Sequence, residues 1–260
     1  MILRKRLFWY SLFIAVLLTW PATNNGQEAI STSQSTTTLQ NNTAFKELDA
    51  DLAESLANFD KRLAAIKHFR ASFIQDKKTP LLRNPMRSSG ILLAQGPQMR
   101  WNTTEPYASV MVIDQRPGHN EILFYYAEDA LLEIHPLNHE LGRLAGFPLP
   151  SFLELAQHYS IEKDPTPLTD ERGSGLGLRL VPKDEATRQH LQQLRLLVDS
   201  TTGLIWKVEI TEEEGSHTLL TFQELDTKTP VTSEALELNV PIGTEIIRTS
   251  PEPVVEQSDE

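Results

Sequence analysis

From Phe69 onward the apolar residues of this chain stop recurring every three or four positions and begin to alternate. No other feature constrains the fold as much. Phe69, Ala71, Phe73 and Gln75 alternate with Arg70, Ser72, Ile74 and Asp76, the pattern of a strand with two unlike faces. More short segments of strand character follow at regular intervals: Ser89–Ala94, Gln98–Asn102, Ala108–Asp114, Glu121–Tyr126, Leu131–Pro136, Gly177–Val181, Leu191–Asp199, Leu204–Thr211, Ser216–Phe222 and Leu236–Val240. Turn residues such as Gly96 with Pro97, Pro117 with Gly118, and Gly203 separate them. Connections this short join antiparallel neighbours, because parallel neighbours need a crossover of a dozen or more residues. The reading is an α+β chain, mainly antiparallel β, with about ten or eleven strands.

A helix precedes the sheet. Phe45, Leu48, Leu52, Leu56, Phe59, Leu63, Ile66 and Phe69 recur at steps of three and four, which is one apolar stripe on a 3.6-residue repeat. Lys46, Glu47, Asp51, Glu54, Asp60, Lys61 and Arg62 form the solvated face. A second short helix is expected over Pro148–Tyr159, with Ser151 as its N-cap. No composition shift divides residues 44–249, which read as a single domain.

The ends are different. Arg4, Lys5 and Arg6 precede the apolar run Leu7–Leu18. This run falls short of the roughly 20 residues a transmembrane helix needs and reads as a signal peptide over residues 1–22, the alternative being an uncleaved N-terminal anchor. Residues 23–43 are almost all Ser, Thr, Gln and Asn, too polar to offset their ordering entropy, and read as a linker. Residues 250–260 form an acidic tail of the same kind. Export into the periplasm is the expectation.

Composition removes several classes of function. A net charge of −11 gives no counterion-release gain on nucleic acid, so no nucleic-acid partner is expected. The absence of Cys excludes disulfides, thiolate metal sites and a cysteine nucleophile. His135 and His139 have metal-ligand spacing, but Pro136 lies between them and no third ligand is placed nearby, so no metal is expected. The glycines at 173, 175 and 177 lead into a strand, whereas a phosphate cradle leads into a helix. Glu212, Glu213 and Glu214 read as solvated turn residues. No nucleophile has a base at a motif spacing, so no catalytic residue, cofactor or enzyme activity is expected.

Apolar surface remains. One parity of the strands is persistently large and apolar: Met99 and Trp101, Val110 and Val112, Leu132 and Ile134, Leu220 and Phe222, together with Phe73. Near position 205 the register is open, with either Ile205 or the pair Leu204 and Trp206 on that parity. These residues are either plain core or, with Leu52, Leu56, Phe59 and Leu63 of the helix, the lining of a space for an apolar ligand.

The order of motifs resembles the LolA family, the periplasmic carriers of bacterial lipoproteins. The residues that carry the resemblance begin with Phe69 to Phe73 and Gln75, then Ser88, Ser89 and Gly90, then Gly96, Pro97, Arg100 and Trp101, then Glu105 and Pro106. Asp114 and the aromatic strand Ile122–Tyr126 follow, then Gly203–Val208, Thr221 and Phe222, and Leu236–Ile247. The resemblance spans about residues 45 to 248. It implies an unclosed, half β-barrel with an α-helical lid over a hydrophobic cavity that holds lipoprotein acyl chains. It also implies a monomeric carrier, an inner-membrane releasing transporter and an outer-membrane acceptor. The family commonly has Lys-Arg-Pro where this chain has Gln95, Gly96 and Pro97, so the arginine's lid-latching role is not carried over. The alternatives are a relative that binds lipid or senses envelope stress without a transfer role, and an envelope hydrolase, for which no catalytic constellation is visible.

Overall fold

The computed structural model describes residues 48–80, 82–137, 150–173, 175–212 and 215–249. The expected signal peptide, linker and acidic tail lie outside them, as do Phe45, His139, Ser174, Glu213, Glu214 and the first two residues of the expected second helix.

Twelve strands form one open sheet in the order β12-β6-β5-β4-β3-β2-β1-β11-β10-β9-β8-β7. They are β1 (His68–Lys78), β2 (Met86–Gln95), β3 (Gln98–Glu105), β4 (Ser109–Asp114), β5 (Glu121–Tyr126), β6 (Leu131–Pro136), β7 (Tyr159–Lys163), β8 (Leu176–Pro182), β9 (Leu191–Val198), β10 (Ile205–Glu212), β11 (His217–Asp226) and β12 (Glu245–Arg248). Helices α1 (Ala50–Leu63) and α2 (Phe152–His158), with the one-turn helices α3 (Glu185–Arg188) and α4 (Ser233–Leu236), complete the described elements. The mainly antiparallel, unclosed sheet matches the expected fold class.

Three expectations change. The first helix stops at Leu63, where Ala64 N–H donates to Asp60 O at 2.9 Å and Ile66 N–H to Leu63 O at 3.0 Å. Phe69 fits both periods, three from Ile66 and two from Ala71, and it belongs to the strand. The segment from Leu236 to Val240 is not a strand. Thr232 caps α4 there, accepting from Ala235 N–H at 3.3 Å, and the last strand is Glu245–Arg248. That strand pairs parallel with β6, Ile246 opposite Leu132 and Ile247 opposite Glu133, and the connection from β11 is long enough for such a crossover. Strand β7 was hidden because the expected helix ran through Tyr159, whereas α2 ends at His158.

The described chain groups into two compact units, with β1, β2 and β11 contributing to both. The first holds residues 48–66, 73–87 and 150–223; the second holds 67–72, 88–137 and 224–249.

In the first unit, Leu178 opposes Leu196, Leu196 opposes Val208 and Val208 opposes Leu220. The result is a continuous apolar row across four strands, each member at most 2% exposed. The opposite face is charged. Arg195 pairs with Asp164 at 2.8 Å and Glu209 at 2.7 Å, and Arg179 pairs with Glu162. A strap of residues 164–172 lies over that charged face: Lys207 reaches Asp170 at 3.5 Å, and the Arg172 guanidinium sits 4.8 Å over the Trp206 ring.

In the second unit the register fixes two faces. Leu92, Trp101, Met111, Phe124 and Glu133 form one cross-strand row; Leu93, Arg100, Val112, Leu123 and Ile134 form the neighbouring row on the other face.

Candidate functional site

Helix α1 is amphipathic, as its sequence predicts. Asp49 caps it, accepting from Asp51 N–H at 3.1 Å and Leu52 N–H at 3.3 Å. Its stripe is almost wholly covered: Leu52 is 2% exposed, Leu56 0%, Phe59 4% and Leu63 7%. Burying four such side chains is worth about 1.5–3 kcal/mol each, far more than a helix of 14 residues gains from propensity alone.

The C-terminal end of α1 is held at three points. Phe59 packs on Phe152 of α2 with ring centroids 5.8 Å apart. It also presses on the β9–β10 turn, where a Cβ on Gly203 would stand 2.8 Å from the Phe59 Cβ. Gly203 has a φ of +83°, so the turn requires glycine twice, for conformation and for room. Arg62 donates to the Thr201 carbonyl in the same turn. Finally, Asp60 accepts from Phe152 N–H at 2.7 Å and Leu153 N–H at 2.9 Å. Burial raises the Asp60 pKa above its ordinary value, against the lowering effect of these two amides; neighbouring Glu154 raises it further.

Of the sheet residues expected to line one surface, Phe73, Leu220 and Phe222 lie in the first unit, all at most 1% exposed. The six in the second unit do not share a face. Met99 and Trp101 stand with Leu92, Ala94, Ile113, Ile122 and Phe124 on one side. Val110, Val112, Leu132 and Ile134 stand on the other. That other side carries Arg100, Asn102 and Asp114, and Arg100 on it donates to Asn102 Oδ1 at 2.8 Å and to the Glu237 carbonyl. The segment around the buried Leu236 is therefore tied to that face at β3. Trp101 is 6% exposed and Leu92 0%, and theirs is the more continuous apolar surface. The open register at position 205 resolves through a bulge between Ile205 and Lys207: Ile205 and Val208 are both buried, three residues apart, and Trp206 is half-buried beneath Arg172.

Several motifs prove structural. Gly96 has a φ of +54° in the β2–β3 turn, a left-handed conformation that favours glycine. A Cβ on Gly175 would meet Val198 O at 2.6 Å, and one on Gly177 would meet Pro167 Cβ at 2.4 Å, so close packing explains both glycines. The Asp114 carboxylate accepts from Arg116 Nη2 at 2.6 Å and from Arg116 N–H at 3.1 Å across the β4–β5 turn. That side-chain bond to Arg116 is the main cause lowering the Asp114 pKa. His135 Nδ1 lies 2.8 Å from Thr249 Oγ1, a tie to the end of β12.

Sequence reasoning missed Lys77, whose side chain is 4% exposed and lies 3.4 Å from Glu212. Glu212 is thus a paired carboxylate, not the solvated turn residue expected. The strand period could have flagged this pair, because Lys77 keeps the parity of Phe73 and Gln75. It missed Asp60 as well, reading it as solvated charge.

Comparison with known proteins supplies a family. The family described as outer membrane lipoprotein carrier protein LolA matches residues 64–238. An outer-membrane lipoprotein carrier protein of Nitrosomonas europaea is 23% identical over 184 residues, 69% of this chain and 82% of that protein. Among solved structures, an uncharacterized conserved protein from Thermus thermophilus aligns with a TM-score of 0.51 at 12% identity, covering 76% of this chain and 99% of that one. The Mycobacterium tuberculosis lipoprotein LppX aligns with a TM-score of 0.44 at 9% identity, covering 71% of this chain and all of that one.

Proposed function

The chain belongs to the LolA family of outer membrane lipoprotein carrier proteins, and from that premise we propose that it is a periplasmic, non-enzymatic carrier that binds lipoprotein acyl chains on its apolar sheet face in place of the α1 stripe. The observation that carries this reading is the burial of Leu52, Leu56, Phe59 and Leu63. The stripe is covered in the folded chain, and the buried row Leu178, Leu196, Val208 and Leu220 of the same unit is the apolar surface on which we place its exchange with an acyl chain.

Magnitudes favour an exchange. Uncovering the four side chains costs on the order of 6–12 kcal/mol at about 1.5–3 kcal/mol each. An acyl chain with more than a dozen methylenes recovers about 0.8 kcal/mol per buried CH₂. The two are of similar size, so the chain is held without being trapped. A carrier needs this balance, because acyl chains cannot cross an aqueous compartment uncovered, yet must be surrendered at the far side. In the second unit, the Leu92, Trp101 and Phe124 face offers a further apolar surface, while the Arg100 face is engaged by the segment that follows α4. Release from an inner-membrane transporter and delivery to an outer-membrane acceptor complete the proposed cycle.

The test is transfer. Added to spheroplasts, the purified protein should bring acylated lipoproteins into the soluble fraction as a complex. If they stay in the membranes while the protein still binds a fluorescent acyl probe, the alternative of a lipid-binding relative without a transfer role replaces the carrier.

A further inference from the structure

Asp60 stands where a carboxylate does its own helix no good. It lies in the last turn of α1, whose basic residues Lys61 and Arg62 suit the negative end of the helix dipole. An aspartate there is unfavourable for α1 taken alone. Across the gap the sign reverses, because the carboxylate meets the first-turn amides of α2, which are otherwise orphan donors at the positive end of that helix. Helix α2 has only seven residues, too few to persist on propensity. Its first-turn amides are shared out: Asp60 takes those of Phe152 and Leu153, and Ser151 Oγ takes that of Glu154 at 3.2 Å. The Phe59–Phe152 contact lies beside this junction. The raised Asp60 pKa shows that burying the carboxylate costs the fold something, and α1 gains nothing in return.

We propose that Asp60 is a positioning residue that joins α1 and α2 into a single lid body, so that the two helices lift and reseat together when an acyl chain enters or leaves. Without the junction, the seven-residue α2 would open on its own while α1 stays seated, exposing the Phe152 ring on one side and the Phe59 ring on the other. With it, the opening is one cooperative step. This rests on the carrier reading for its purpose, but the coupling is a property of the ligand-free chain.

The experiment is amide hydrogen exchange on the full-length protein without ligand, followed residue by residue, in the wild type and in Asp60→Ala, Asp60→Asn and Ser151→Ala. In the wild type, the slow amides of α1 and α2 should share one opening equilibrium. In Asp60→Ala the two should separate, with α2 amides exchanging at least tenfold faster than those around Leu52 and Leu56. Asp60→Asn keeps the size and one acceptor and should fall between, which preserves the test if the alanine variant does not fold. Ser151→Ala removes a cap from α2 without touching α1; it should speed exchange at Glu154 and leave the coupling intact. Equal protection of both helices in the Asp60 variants, or the same uncoupling in Ser151→Ala, overturns the proposal. Dissociation of a fluorescent acyl probe supplies the functional arm and should be at least fivefold faster in Asp60→Asn. Failure of the wild type to bind the probe would remove the carrier reading while leaving the exchange result to stand or fall alone.

Discussion

Trp101 and Val112 stand on opposite faces of the same sheet: Trp101 opposes Met111, and Val112 opposes Arg100. Both are nearly inaccessible, at 6% and 5%, so burial alone does not tell them apart. Their neighbours do. The Trp101 face is apolar across the four strands β2 to β5 and turns polar only at Glu133 and His135 of β6, whereas the Val112 face holds Arg100 and its bond to the Glu237 carbonyl. The account therefore predicts different outcomes for equivalent truncations. Trp101→Ala should weaken binding of a fluorescent acyl probe about tenfold, which corresponds to about 1.4 kcal/mol. Val112→Ala should lower thermal stability but change probe affinity less than twofold. The reverse result would assign the ligand to the Val112 face.

The turn at Gly203 offers a way to press on the lid without touching its stripe. Gly203→Ala places a methyl group 2.8 Å from the Phe59 Cβ and strains a φ of +83°. Overpacking of this kind costs about 1–3 kcal/mol. Urea denaturation should show a lowered midpoint with an unchanged slope. An unshifted midpoint would mean that α1 does not rest firmly on this turn.

The strap over the charged face should respond to acid. Asp170 is held well below its ordinary value of 3.8, chiefly by the Arg172 side chain and also by Lys207. A carboxylate with a depressed folded pKa stabilises the fold above its ordinary pKa and loses that contribution as pH falls through the folded value. Stability should thus be flat near neutrality in this respect and decline below about pH 4. The Trp206 emission should change over the same range as Arg172 is freed from its partner. In Asp170→Asn this part of the decline should vanish, with a weaker strap at neutral pH. An unaltered acid limb in the variant would contradict the assignment.

Truncating the stripe should reveal the exchange directly. Leu56→Ala removes a side chain that is 0% exposed and should cost about 2–5 kcal/mol of stability in the ligand-free protein. With saturating acyl ligand, the lid residue is already displaced in the bound state, so the loss should shrink by at least half. Equal losses with and without ligand would show Leu56 to be ordinary core.

Much of this architecture was legible in the sequence, and the reasons differ by element. Strands β5 and β6 matched their expected bounds because turn residues flank alternating or apolar runs. Helix α1 was legible from its stripe, but its end was not, since Phe69 satisfies both periods. The candidate surface was half-legible. Alternation shows that each strand has two faces but cannot say how neighbouring strands are registered, and a slip of one residue inverts a strand. That is why Met99 and Trp101 were grouped with Val110, Val112, Leu132 and Ile134. Asp60 was unreadable for another reason: its partners are backbone amides more than ninety residues away in sequence, and local charge patterning carries no trace of them.

The most direct test places a photoreactive acyl chain in the protein. A diazirine-bearing fatty-acyl probe, bound and irradiated, should form adducts in α1 around Leu52 and Leu56 and on the strand segments carrying Leu196, Val208 and Leu220. Adducts confined to the Arg195 face or the Val112 face, or no saturable labelling at all, would contradict the account.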